Sequence, residues 1–140
     1  MTSLLSGVPG IIERDELHVM QRTTSDDVDH IRPLWSWFEG RVGLLRRRMY
    51  AVVDPACGTY TVCTPVRIDD DPEALELETG VLPGGAYLRG RLIGEPPALY
   101  EAIGDAMAEL ETYRPRDPVR PLIEFYRRHD QIELWVPVAL

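Results

Sequence analysis

Apolar and polar positions alternate along residues 11–22 (IIERDELHVMQR), where Leu17, Val19 and Gln21 take turns with His18 and Met20. A period of two is that of a half-buried strand, and the polar triplet Arg14-Asp15-Glu16 predicts a bend within it. Residues 23–29 are polar and rich in residues that cap helices. Ile31, Leu34, Trp35 and Phe38 then recur at helical spacing, which predicts a helix from about Asp29 to Gly40–Gly43. Pro33 argues against an earlier start, because a proline deep in a helix breaks it. Residues 47–53 and 59–66 are rich in strand formers and flank the turn residues Asp54-Pro55-Ala56-Cys57-Gly58, predicting a hairpin.

An acidic stretch, 67–74, interrupts the pattern, and the same order of elements then returns. Residues 75–82 and 85–92 read as extended around Pro83-Gly84. Pro96 opens a helix predicted to run to about Tyr113, with Leu99, Ile103, Met107 and Leu110 on one stripe and Arg114-Pro115 as its stop. Residues 121–128 (PLIEFYRR) and 131–138 (QIELWVPV) form a second hairpin across His129-Asp130. The chain therefore reads as a single α+β domain of two strand–helix–strand–strand modules, 10–66 and 75–138, joined by the linker 67–74. The expected architecture is an antiparallel sheet with both helices on one face. Two helices cannot cover both faces, so the other face is the expected ligand cleft.

A length of 140 residues suits one domain, and 44% hydrophobic with 27% charged residues is ordinary globular composition. The net charge of −8 argues against binding a phosphate backbone directly, Arg46-Arg47-Arg48 notwithstanding. Every one of the 15 basic residues is arginine, which excludes lysine nucleophiles and Schiff-base chemistry. Cys57 and Cys63 are too few for a disulfide scaffold and read as buried free thiols, although pairing across the hairpin is open. Residues 1–10 lack the pattern of a signal peptide and no stretch has the length of a membrane span, so the expected location is cytoplasmic, with no membrane partner.

Glu124 is the position with most chemistry to offer. It stands inside an apolar strand, sharing a face with Leu122 and Tyr126, while Ile123 and Phe125 take the other. With Ile123 and Phe125 packed under a helix, Glu124 would look into the uncovered face. Two readings stay open: an edge-strand glutamate in water, or a partly desolvated carboxylate that attracts a cation or works as a general acid or base. Trp135 is expected to look into the same cleft as Tyr126. Tyr87, Tyr60, Tyr50, Trp37 and Met20 complete the candidate ligand-binding set, whereas Trp35 and Phe38 read as core. His18, His30 and His129 lie on separate elements, so no metal site is expected, and no motif calls for a cofactor. The run Asp69-Asp70-Asp71 lacks the rest of a calcium loop and reads as a solvated connection.

The PGGAY segment at 83–87, the helix opening after Gly94, the PLIEFY strand carrying Glu124 and the closing ELWVPV at 133–138 resemble the GyrI-like small-molecule-binding domain over roughly residues 10–138. That domain also forms the effector-binding half of several multidrug-sensing regulators. The resemblance implies two modules related by a pseudo-twofold, with an acidic residue of the penultimate strand among aromatics on the floor of a cleft; Glu124 matches that position. It implies binding of an amphipathic aromatic compound, often cationic. It also implies two alternatives: hydrolysis of electrophilic toxins by the same glutamate, and inhibition of a protein partner such as DNA gyrase. Arg89 and Arg91 stand where relatives often have a histidine. No helix-turn-helix pattern precedes residue 10, so a standalone domain is expected.

Overall fold

The computed structural model describes residues 3–140. Eleven elements follow one another: β1 (Gly10–Arg14), β2 (Leu17–Ser25), α1 (Val28–Val42), β3 (Met49–Asp54), β4 (Thr59–Pro65), β5 (Glu78–Leu82), β6 (Gly85–Ile93), α2 (Ala98–Glu101), α3 (Ile103–Glu111), β7 (Leu122–Arg128) and β8 (Gln131–Pro137). All eight strands join one antiparallel sheet in the order β1-β6-β8-β7-β3-β4-β2-β5. Exchanging β1 with β5, β2 with β6, β3 with β7 and β4 with β8 turns this order into its own reverse. That is the signature of two equivalent halves meeting at β3 and β7.

The bend expected near residues 14–16 is the connection between β1 and β2, yet these two strands do not pair. β1 lies on β6 and β5 lies on β2, so each half lends its first strand to the other. Two residues, Asp15-Glu16, link β1 at one edge to β2 near the opposite edge, and Pro83-Gly84 does the same for β5 and β6. Such short links require the sheet to curl until its ends approach. The two links touch at Gly84, where an added Cβ would stand 2.7 Å from both Arg14 O and Glu16 N.

α1 packs on β2 and β4, and α3 on β6 and β8, both over the same side of the sheet. Asp27 caps α1 by accepting a bond from His30 N at 3.1 Å, and Gly43 ends it at φ 75° with its N–H on Glu39 O. Pro33 does sit inside this helix, in its second turn. The missing N–H and the ring clash cost about 3 kcal/mol. Burial of Phe38 and partial burial of Ile31, Leu34 and Trp35 against Met20, Ala51, Tyr60 and Val62 offset that cost. The second helix is shorter than the pattern predicted, starting at Ala98 and breaking at Ala102 into α2 and α3. Its apolar stripe is as expected, with Leu99, Met107 and Leu110 buried.

The linker differs from its sequence reading in two ways. Residues 75 and 76 are turn and Leu77 is irregular rather than strand, and Asp70 is not a solvated charge. Its carboxylate accepts both terminal nitrogens of Arg47, at 2.6 and 2.7 Å, and the Arg67 N–H at 2.7 Å, with both partners of the ion pair 7% exposed. Cys57 and Cys63 are free thiols, but only Cys63 is buried; Cys57 lies exposed in the β3–β4 turn. No helix among the described residues is long and apolar enough to cross a membrane.

Candidate functional site

β7 is apolar on both sides because both of its sides are covered. Ile123 sits opposite Trp135 on β8 and joins Tyr50, Tyr87, Val19, Cys63 and Leu82 in the core enclosed by the curl of the sheet. Glu124, one residue on, points the other way, toward the helices, with Ala51 opposite it on β3 and Leu134 on β8. The sequence reading had these two faces reversed. Alternation separates the side chains of a strand into two sets but does not say which set meets a helix.

Glu124 is 5% exposed. Tyr126, two residues along the same face, donates to Glu124 Oε1 at 2.5 Å, and Tyr60 of β4 donates to the same oxygen at 3.1 Å. The two phenol oxygens are 3.1 Å apart, and the indole N–H of Trp35 on α1 donates to Tyr60 Oη at 2.9 Å. No described side chain bonds to Oε2, which is nevertheless not sealed from solvent. Trp35 meets the Tyr126 ring edge-on at 4.9 Å between centroids, and Tyr100 of α2 lies tilted to the same ring at 6.3 Å. The carboxylate thus lies on the sheet in the seam between α1 and α2.

Loss of water on burial pushes the Glu124 carboxyl up to about 7, against the opposing pull of the two phenol donors; the charge of Asp26 adds to the rise. Burial, and then the neighbouring Glu124 charge, push the Tyr60 and Tyr126 hydroxyls well above their ordinary range, so both remain donors. No arginine among the described residues forms an ion pair with Glu124, in a chain that carries 15 of them. A buried carboxylate without a cation is costly, and it can accept a positive charge or exchange a proton near neutrality.

Of the expected residues, Glu124, Tyr126 and Tyr60 come together. Met20 is fully buried in the cluster beneath α1 that also holds Tyr60. Trp37 packs at the edge of this cluster and is flanked by the guanidinium groups of Arg22 and Arg41, 4.8 and 5.0 Å from its ring. Trp135, Tyr87 and Tyr50 belong to the opposite face. There Tyr50 stacks on Phe125 at 4.7 Å, and Trp135 donates to the buried Glu133, which also takes Arg127. Trp135 therefore cannot share a cleft with Tyr126: its register with Ile123 fixes it inside the curl. Trp35, read as core, is also a hydrogen-bond donor to the site, and Tyr100 was not anticipated. Both come from helices, and their direction depends on how those helices cross the sheet.

No family profile matches the chain, and no curated protein does. Solved structures do. The chain resembles an integron cassette protein from the mobile metagenome of Vibrio cholerae at 18% identity and a TM-score of 0.66, covering 94% of this chain and 95% of that one. It resembles SAV2435 bound to tetraphenylphosphonium at 16% identity and 0.67, covering 95% and 94%. A hydrolase from Listeria innocua is similar at 11% identity and 0.56, over 94% and 91%. At these identities the likeness establishes a shared fold.

Proposed function

We propose that this protein binds an amphipathic aromatic cation, with Glu124 as the counter-charge and Tyr126, Tyr60, Trp35 and Tyr100 as the surrounding surface. The observation that carries this reading is the buried carboxylate with no arginine partner, its Oε1 held by two phenols and its Oε2 unengaged. A delocalised cation loses little hydration on entering such a site, and aromatic faces favour it further. SAV2435, of the same fold, is bound to tetraphenylphosphonium, which supports the ligand class.

Three ligands of similar shape test the charge role: tetraphenylphosphonium, neutral triphenylphosphine oxide and anionic tetraphenylborate. The cation is expected to bind and the borate to be rejected. Glu124→Gln is expected to weaken the cation about 10- to 100-fold, the worth of a charged partner, while changing the oxide about twofold or less. Equal losses for cation and oxide would overturn the charge role.

A second reading has its own support. A carboxyl that titrates near 7 is suited to general acid–base work, and a hydrolase shares the fold. Turnover of an electrophilic ester or epoxide that vanishes in Glu124→Gln would favour it; binding without turnover would leave the first.

A further inference from the structure

Glu95 precedes α2, and His129 and Asp130 make the β7–β8 turn. The fold brings these two segments together, and the Gly94 N–H donates to Asp130 O at 3.1 Å. One ligand atom from each of the three side chains then lies within 4.8 Å of the others. Glu95 and Asp130 form no ion pair with any described arginine or histidine, although the chain has 15 arginines. Two carboxylates and an imidazole thus converge with neither carboxylate engaged by an arginine, and a cation placed among them would meet three donors at once.

We infer that Glu95, His129 and Asp130 form a surface site for a divalent first-row transition ion such as Zn²⁺, Co²⁺ or Ni²⁺. Mixed imidazole and carboxylate donors select this class; carboxylates alone would suit Ca²⁺ or Mg²⁺. Zinc holds such donors at about 2.0–2.2 Å. The three donors therefore close inward on binding, a movement within reach of side chains of which Glu95 and His129 are exposed. Water completes the coordination shell on the open side. The ion ties the turn that ends β7 to the start of α2. Spacing along the chain hides this site, because 33 intervening residues separate Glu95 from His129 and only the sheet brings them together.

The test uses untagged protein, titrated with Zn²⁺ by calorimetry and with Co²⁺ by visible absorption. One ion per chain is expected, with His129→Ala and Glu95→Gln each weakening binding at least about tenfold, the scale of losing one charged or imidazole donor. His30→Ala is the control, since His30 pairs with Asp27 elsewhere on the surface. Zn²⁺ is expected to raise the melting temperature of the wild type but not of His129→Ala. Absence of binding, binding unchanged in His129→Ala, or loss in His30→Ala alone would each overturn the site. Equal affinity for Ca²⁺ and Zn²⁺ would overturn the metal class.

Discussion

Tyr126 Oη stands 2.5 Å from Glu124 Oε1, although the two residues are neighbours on one face of one strand. The pair is local in sequence, while its depth and its third member, Tyr60, are not. Tyr60 and Trp35 arrive from β4 and α1; burial pushes the Glu124 carboxyl up to about 7, and the hydrogen bonds from Tyr126 and Tyr60 only partly oppose that rise.

That value makes stability fall as pH rises. An ordinary Glu releases its proton near 4.5, whereas folded Glu124 keeps it to about 7. Below 4.5 both states are protonated and the full contribution is present; between 4.5 and 7 the unfolded chain alone ionises, and stability is lost. The loss by pH 8 is on the order of 3 kcal/mol. Glu124→Gln is expected to gain by about this amount relative to wild type between pH 4.5 and 8 in urea melts. A difference independent of pH would show that Glu124 titrates normally.

Affinity for a bound cation is expected to run the other way. The cation prefers the ionised carboxylate, so its binding weakens as pH falls below about 7, approaching tenfold per pH unit, and levels off above it. Tetraphenylphosphonium titrations from pH 5.5 to 8.5 measure this directly, and proton release on binding at pH 6 is the calorimetric counterpart. Flat affinity across that range would remove Glu124 from the binding reaction.

The Arg47–Asp70 pair is expected to secure the linker against acid only down to a point. Its hydrogen bonds from Arg47 hold the Asp70 carboxyl at about 2, below its ordinary 3.8, so the contribution is present above 3.8 and lost as pH falls toward 2. Asp70→Asn is expected to cost about 2–3 kcal/mol at pH 6. The gap from wild type should narrow through that acid window. A gap that persisted at pH 2 would mean the pair acts through packing alone.

Two glycine-to-alanine changes should have opposite signs. Gly84→Ala drives a methyl into the backbone of the β1–β2 link, where neither Arg14 O nor Glu16 N can yield cheaply, and should cost about 1–3 kcal/mol. Gly104→Ala places its methyl in open space on α3 and should gain about 0.5–1 kcal/mol. Thermal melts of the two variants would decide; a neutral Gly84→Ala would mean the two links do not touch.

The sequence by itself determined the elements that rest on local chemistry. Both hairpins follow from strand formers flanking turn residues, and α1 follows from its apolar stripe. The strand–helix–hairpin order repeats visibly, and Glu124 stands out as a carboxylate in an apolar strand with Tyr126 on its own side. The tertiary structure alone decided which side that was. Both faces of β7 are apolar, one against helices and one against the sheet's own curl, so alternation carries no sign. It also decided that β1 and β5 change places, since a strand's pairing partner depends on the whole sheet. For the same reason Trp135, Tyr87 and Tyr50 went to the inner core, while Trp35 turned its indole N–H to the site and Glu95 met His129: distances between elements are set by packing.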